Sequence, residues 1–236
     1  MRKWWEKWFA NPGFCPLCGS VHSTSNWGDI WDRLCPSCKA RLHRIRPPCC
    51  SLCGRSWTSP SLCGDCLRHR SRDLERNVAV LRYTAYPKEL MRLFKYRGRE
   101  VLAEPLGEMM AEVLFEAGIR PEVVTYVPLH PDRMRQRGFN QSELLARQVA
   151  RRLNLPLRSA LQRIRPTLPQ SRRSRWERMG ALSGAFRLNP RSVGAVVDKR
   201  WLVVDDVYTT GSTLVECAKT LKRAGAKQVC SLTWAR

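Results

Sequence analysis

Two adjacent aspartates, Asp205 and Asp206, lie between the apolar run Trp201–Val204 and the stretch Thr209–Thr213, which reads TTGST. Neighbouring carboxylates repel each other, so a purely structural strand end gains nothing from the pair. The glycine lets the backbone turn closely around a ligand, and the start of a helix after it favours an anion. Carboxylates accept hydrogen bonds from hydroxyls, so the whole stretch suits a sugar phosphate with vicinal hydroxyls.

Eight of the eleven cysteines form four C-x-x-C pairs near the start of the chain. This spacing lets two thiolates reach one ion from a tight turn. Sixteen residues separate the first two pairs, which is a zinc-ribbon spacing, and nine separate the last two. Four thiolates complete a tetrahedron and leave no position for water, so we predict two structural zinc sites. The predicted ligands are Cys15, Cys18, Cys35, Cys38, Cys50, Cys53, Cys63 and Cys66.

Other arrangements of these cysteines stay open at this point. A disulfide framework belongs to oxidising compartments, and the N-terminus carries no secretory signal, which favours zinc. Sequential pairing into two ribbons competes with a cross-braced arrangement. Cys49 could replace Cys50 as a ligand, although Cys50 has the standard spacing.

Strands and helices alternate after the polar segment Leu67–Asn77, which we interpret as a linker between a 1–77 zinc domain and a 78–236 domain. This alternation predicts an α/β fold, a mostly parallel sheet with helices on both faces, whose ligands bind at the carboxyl ends of the strands. Strands are predicted near 78–86, 122–129, 157–164, 184–188, 201–204 and 228–234. One helix is predicted at 87–96. A second continues up to Gly118 with an interruption at Pro105, a third begins at Asn140 as its N-cap, and a fourth covers Ser212–Ala224.

The chain carries a formal net charge of +22 and has a pI near 10.4. Such an excess predicts an anionic partner, either nucleic acid or a phosphorylated metabolite. The alternative is a solvated, arginine-rich surface. The sequence has no apolar run long enough for a transmembrane helix, so we expect a cytoplasmic protein without membrane insertion.

The string VVDDVYTTGST resembles the phosphoribosyl pyrophosphate (PRPP) signature of type I phosphoribosyltransferases. Three further features, VPLHPDRMRQRGFNQSELLA, KYRG and the PTLPQ…ER…GAF region, together with the cysteine pairs, resemble the ComF/GntX family, close to its competence-associated members. The resemblance spans nearly the whole chain. It implies a type I phosphoribosyltransferase fold with a small N-terminal zinc-ribbon domain.

The resemblance also implies roles for individual residues. Asp205 and Asp206 would be the catalytic pair that binds the ribose hydroxyls, and Leu129–Arg133 would be the loop facing the diphosphate, where Lys95 also approaches. Magnesium would accompany PRPP. The implied PRPP-binding residues are Leu129, His130, Arg133, Arg137, Lys95, Thr209, Thr210, Gly211, Ser212 and Thr213.

The segment Arg158–Arg178 holds seven arginines and one acid. In type I enzymes a loop in this part of the chain closes over the reacting site. This chain departs from the family pattern at Ala181, where many relatives have asparagine, and at Arg173, where an apolar residue is usual. The same segment could instead guide a nucleic-acid backbone, through Arg172, Arg173 and Arg175.

Two functions remain open from the sequence. The first is magnesium-dependent transfer of the phosphoribosyl group to an acceptor that the sequence does not identify. The second is non-catalytic handling of single-stranded DNA during natural transformation, with other competence proteins of the helicase type, and with PRPP as a regulatory or vestigial ligand.

Overall fold

The computed structural model of the chain describes residues 12–23, 28–68, 71–96, 99–165 and 183–236. The strands are β1 (Pro12–Phe14), β2 (Val21–Ser23), β3 (Arg76–Leu81), β4 (Val123–Tyr126), β5 (Leu161–Arg163), β6 (Phe186–Leu188), β7 (Arg200–Val207) and β8 (Gln228–Ala235). The helices are α1 (Pro36–Arg41), α2 (Gly64–Arg68), α3 (Ala85–Tyr96), α4 (Ala103–Glu116), α5 (Pro131–Arg137), α6 (Gln141–Leu153) and α7 (Ser212–Arg223), with short 3-10 turns at Glu100–Leu102 and Pro190–Ser192.

The central sheet consists of four parallel strands in the spatial order β3, β8, β7, β4. One of its two middle strands, β7, is apolar on both faces over its first half. Its residues Trp201, Leu202, Val203 and Val204 are all fully buried. Near-continuous apolar runs of this kind are typical of parallel strands covered on both sides. In β7 the acidic residues Asp205 and Asp206 therefore follow the apolar run, near the carboxyl end of the strand.

Helices cover both faces of this sheet. Helices α4 and α6 pack together, with α4 against β3 and β8 and α6 against β7 and β4, whereas α7 packs on the other face with β8 and β6. Asn140 caps α6, and its side-chain oxygen accepts a hydrogen bond from the Ser142 N–H at 3.0 Å. The predicted α/β class and the predicted N-cap of α6 are both confirmed.

Three predicted elements differ in the structure. The strand predicted near 78–86 ends at Leu81, and Ala85 and Tyr86 already belong to α3. Pro105 does not interrupt α4, because it is the third residue of that helix, where a backbone N–H has no partner within the helix to lose. The strand predicted over 157–164 is reduced to β5, which pairs antiparallel with β6 outside the central sheet. Leu157 forms only an isolated parallel bridge with Val124.

The N-terminal region packs along the outer edge of β3. The Ile45 N–H donates to the Val80 carbonyl at 2.8 Å, and the Arg82 N–H donates to the His43 carbonyl at 2.9 Å. These bonds cover an edge that would otherwise be open to pairing with another chain. The segment predicted as a linker runs directly into this strand, since β3 begins at Arg76.

The two cysteine sets belong to different hydrophobic cores. The core formed with α3, α4 and α6 contains Cys15, Cys35 and Cys38. The core formed with α7 contains Cys50, Cys53, Cys63 and Cys66. The two halves of the N-terminal region therefore pack on opposite faces of the sheet, and each supports the elements of its own face.

Candidate functional site

Asp205 and Asp206 are buried at the carboxyl end of β7, with 8% and 6% of their surface exposed. The Oδ1 atom of Asp205 accepts two hydrogen bonds, from the Ser142 hydroxyl at 2.7 Å and from the Asp206 N–H at 2.9 Å. Ser142 lies in the first turn of α6, so this helix fixes the orientation of the Asp205 carboxyl group.

Lys95, in the last turn of α3, forms a close ion pair with Asp206 through its Nζ atom. The resemblance implied that Lys95 approaches the diphosphate, and in the ligand-free structure its Nζ atom contacts Asp206. The contact places a cation beside the acid pair, supplied by the chain itself. It also explains how two neighbouring carboxyl groups are tolerated in a buried position, since one of them has a partner of opposite charge.

The pKa values of the two aspartates shift in opposite directions. Burial raises the pKa of Asp205 to about 8, and the adjacent charge of Asp206 adds to this effect. Burial also opposes the ionisation of Asp206, but the charge and hydrogen bond of Lys95 outweigh it and lower the pKa of Asp206. At neutral pH the site therefore holds one ionised carboxylate, Asp206, beside a largely protonated one, Asp205.

The turn after β7 is shaped by Gly211, which has a φ of +84° and forms the N-cap of α7. A Cβ atom at this position would lie 2.1 Å from the Tyr208 hydroxyl oxygen, so no larger residue fits without a shift. The hydroxyls of Thr210 and Ser212 contact each other on the same turn. The N–H groups at the start of α7, of which that of Ser212 donates to the Thr210 hydroxyl at 3.4 Å, form with these hydroxyls a donor-rich surface suited to a phosphate.

Tyr208 and Arg236 support this turn from behind. The guanidinium of Arg236 lies 4.4 Å from the centre of the Tyr208 ring and donates to the Thr209 carbonyl at 3.3 Å. Tyr208 is buried in the same core as the second cysteine set. Sequence reasoning assigned neither residue a role, because Tyr208 lies within the VVDDVYTTGST string without being singled out and Arg236 belongs to no local pattern.

The segment predicted as a loop over Leu129–Arg133 is a short turn followed by the start of α5. His130 caps this helix, and its Nδ1 atom accepts a hydrogen bond from the Asp132 N–H at 3.4 Å. Arg133 is consequently a helical residue in the first turn of α5. Leu129 and His130 are both partly buried.

Arg137 is the last residue of α5 and lies near Lys95, the lysine that pairs with Asp206. Its guanidinium is 5.2 Å from the centre of the Tyr96 ring and contacts the Gln141 side chain. The positive charge of Arg137 acts against the charge of Lys95, although Asp206 keeps the pKa of Lys95 raised. Arg137 thus contacts Tyr96, the residue that follows Lys95 in α3.

Arg163, in β5, is a further cation near the site that the sequence did not single out. Burial lowers its pKa, and the positive charge of Arg133 lowers it further, while Asp205 acts in the opposite direction. Arg163 thus lies where the charges of both Arg133 and Asp205 act on it, with its guanidinium 5.6 Å from the centre of the Phe186 ring. The predicted nucleic-acid residues Arg172, Arg173 and Arg175 lie outside the described residues.

The predicted zinc ligands converge in two groups of four, Cys15, Cys18, Cys35 and Cys38, and Cys50, Cys53, Cys63 and Cys66. Within each group all sulfurs lie within 4.8 Å of one another. The sulfurs of Cys18 and Cys35, and those of Cys53 and Cys63, are 3.7 Å apart, close to the ~3.8 Å that tetrahedral Zn–S bonds of about 2.3 Å require. All eleven cysteines are free, so no disulfide framework exists.

The grouping resolves the alternatives that the sequence left open. Consecutive pairs share a group, which is the sequential arrangement and not the cross-braced one. Cys49 is not among the converging sulfurs, and its thiol instead donates to the Arg46 carbonyl at 3.2 Å. Four sulfurs and no fifth group suit zinc in a purely structural role, since no position remains for water.

The first cysteine group also contacts the helix that carries Lys95. The Cys38 sulfur lies 2.8 Å from the Tyr86 hydroxyl, in the first turn of α3. A zinc-bound thiolate has no proton, so Tyr86 donates this hydrogen bond when metal is present. The metal centre therefore helps to anchor α3 at the end opposite to Lys95.

None of the helices described in the structure is long and apolar enough to span a membrane.

Comparison with known proteins agrees with both halves of the molecule. Residues 8–67 match the double zinc ribbon domain, and residues 140–236 match the phosphoribosyl transferase domain. The DNA utilization protein YhgH of Salmonella typhimurium is 36% identical over 225 residues, covering 92% of this chain and 94% of the relative. The competence protein ComFC of Bacillus subtilis is 31% identical, covering 94% of each chain, and the competence protein F of Haemophilus influenzae is 29% identical, covering 89% and 93%.

These matches confirm the fold class predicted from the sequence, a type I phosphoribosyltransferase fold with an N-terminal double zinc ribbon. They extend over both regions in one continuous alignment. The chain belongs to the ComF family of competence and DNA utilization proteins.

Proposed function

We propose that this chain binds PRPP and transfers its phosphoribosyl group to an acceptor nucleophile. The observation that carries the proposal is the adjacency of the acid pair and the Gly211 turn at the carboxyl end of β7. One ligand with a vicinal diol next to a phosphate can contact both features at once. Open α/β sheets bind their ligands at this edge, and the matched phosphoribosyl transferase domain supports the same ligand class.

Each part of the ligand has a counterpart in the site. Asp206, held ionised by Lys95, accepts hydrogen bonds from the ribose hydroxyls, with Asp205 beside it. The 5-phosphate lies against the hydroxyls and N–H groups of Thr209–Thr213. The diphosphate faces the turn at Leu129 and His130 and the guanidinium groups of Arg133 and Arg137.

The reaction is a substitution at the anomeric carbon. The acceptor's lone pair forms the new bond while the bond from carbon to the diphosphate oxygen breaks, and pyrophosphate leaves with the electron pair. Cations placed where negative charge grows stabilise this step, and the arginines of α5 supply such charge. Magnesium, when bound with the diphosphate, would neutralise part of the leaving group's charge.

Calorimetry with PRPP tests the proposal. The double variant Asp205→Asn with Asp206→Asn removes the ionised acceptor Asp206 and the carboxyl group beside it, and a charge-assisted hydrogen bond contributes about 1.5–3 kcal/mol, so affinity should fall at least ~10-fold. Asp198→Asn is the matched control, because its side chain is 81% exposed and far from the strand end. Equal PRPP binding by the wild type and the double variant would refute the proposal.

A second candidate function is the handling of single-stranded DNA in the cytoplasm, together with helicase-type competence proteins. It is favoured by the net charge of +22 and by the names of the relatives, which refer to DNA utilization and competence. In this case PRPP would be a regulatory or vestigial ligand. The two functions are compatible, because the proposed DNA contacts lie in the 158–178 segment and not on the acid pair.

Fluorescence anisotropy with a labelled oligonucleotide over a salt series tests this second function. Each phosphate neutralised on a single strand contributes about −0.7 to the slope of log affinity against log salt. Replacing Arg172, Arg173 and Arg175 by alanine should therefore flatten the slope by about 2. An unchanged slope would exclude these three residues from the DNA contact.

A further inference from the structure

Lys95 is the chain's own cation at the acid pair. Its Nζ atom contacts Asp206, and only 21% of its side chain is exposed, against 9% for Asp206. A lysine buried to this extent keeps its charge only beside a partner of opposite charge. The groups that act on its charge are Asp206 and Asp205, which favour it, and Arg137, which opposes it.

The ion pair balances the charge of Asp206, which a divalent cation would otherwise have to balance. A carboxylate as buried as Asp206 must be paired to stay ionised. Lys95 pairs with it in the ligand-free molecule, and Ser142 donates to Asp205 next to it. The negative charge of Asp206 is therefore balanced, and the Asp205 carboxyl group oriented, by the chain's own residues.

We propose that Lys95 takes the place of a divalent cation at the acid pair, so that the site binds a pentose 5-phosphate without metal, and any magnesium serves the diphosphate alone. This inference rests on the proposed function and specifies how the same site recognises its ligand. Lys95 acts here as a positioning residue for Asp206. We therefore expect two ligands that share the ribose 5-phosphate group to differ in whether their binding depends on magnesium.

The geometry makes the prediction specific. Ribose 5-phosphate offers the diol to Asp205 and Asp206 and the phosphate to the Gly211 turn, but it has no diphosphate. Its affinity should not depend on magnesium, whereas that of PRPP should increase with magnesium. If Lys95 only stabilised the fold, removing its charge would leave the metal dependence of both ligands unaltered.

The test is calorimetry of the full chain with ribose 5-phosphate, in EDTA and in magnesium. Wild type should bind equally in both conditions. Lys95→Gln keeps a hydrogen-bonding side chain but removes the charge, and it should lose about ten-fold or more in EDTA and recover part of that loss with magnesium. Lys95→Arg should retain metal-free binding. Lys88→Gln, an exposed lysine on the same helix, is the matched control and should behave as wild type.

Several outcomes would overturn the inference. One is wild-type binding of ribose 5-phosphate that requires magnesium, which needs no variant and so holds even if Lys95→Gln fails to fold. Another is equal binding in EDTA by wild type and Lys95→Gln, with PRPP binding intact, which would leave the proposed function standing. If wild type bound neither ligand in any condition, the proposed function itself would be wrong, and the inference with it.

Discussion

Gly211→Ala perturbs the proposed phosphate turn at a single atom. The added Cβ would lie 2.1 Å from the Tyr208 hydroxyl oxygen and 2.4 Å from the ring carbon Cζ. Tyr208 cannot easily move aside, because it is buried and Arg236 stacks on its ring. In addition, the backbone at Gly211 has a φ of +84°, which alanine adopts only under strain.

Gly211→Ala should lower the free energy of unfolding for two reasons, and the same substitution at a second glycine, Gly118, distinguishes them. A left-handed backbone costs a non-glycine residue about 1–2 kcal/mol, and over-packing adds about 1–3 kcal/mol. Gly118 has a φ of +70°, and a Cβ atom added there would meet nothing within 4 Å, so Gly118→Ala incurs only the first of these costs. For a chain of this size each kcal/mol lowers Tm by about 2–4 °C, so the loss of Tm in Gly211→Ala should be about 1.5 to 4 times that in Gly118→Ala.

The assay combines thermal unfolding with PRPP calorimetry on both variants. Gly211→Ala should bind PRPP at least ~10-fold more weakly, since relief of the clash must displace the hydroxyls and N–H groups that hold the phosphate. Gly118→Ala should bind PRPP as the wild type does. Equal losses of Tm in the two variants, with PRPP affinity retained in both, would refute the assignment of this turn to the phosphate.

Two further predictions concern the metal sites and the acid pair. Cys50→Ser should reduce the zinc content from two ions per chain to one, as measured by elemental analysis, and a preparation without zinc or with four disulfides would contradict the metal assignment. Asp205→Asn should change the pH dependence of stability. Since the pKa of Asp205 is raised to about 8, the folded state holds a proton that the unfolded state releases, so wild-type stability decreases as pH rises from about 4 to 8. One pKa unit corresponds to about 1.4 kcal/mol, so the Tm advantage of Asp205→Asn should grow between pH 5 and 8 and then level off, and a constant offset across that range would show that Asp205 does not titrate there.

Local patterns in the sequence predicted the features whose causes are local. The four C-x-x-C pairs depend on spacing within tight turns, and the structure brings them together in sequence order. The N-cap at Asn140 and the sheet-to-turn transition at Gly211 also follow from neighbouring residues. In each case the residues that make the contact are close in the chain.

Contacts between distant segments could not be predicted in this way. Lys95 and Asp206 belong to different halves of the domain, and only the packing of α3 over the sheet end brings them into contact. Ser142 was visible in a distinctive string, but its bond to Asp205 depends on how α6 crosses β7. Sequence patterns also did not reveal that the two zinc ribbons pack on opposite faces of the sheet.

The most direct test of the central claim is a crystal structure of the chain with PRPP bound. We expect the 5-phosphate within hydrogen-bonding distance of the hydroxyls and N–H groups of Thr209–Thr213. The ribose hydroxyls should donate hydrogen bonds to Asp205 and Asp206. The diphosphate should extend towards α5. A 5-phosphate bound at any other place, or ribose hydroxyls without contact to either aspartate, would show that the proposed PRPP site is wrong.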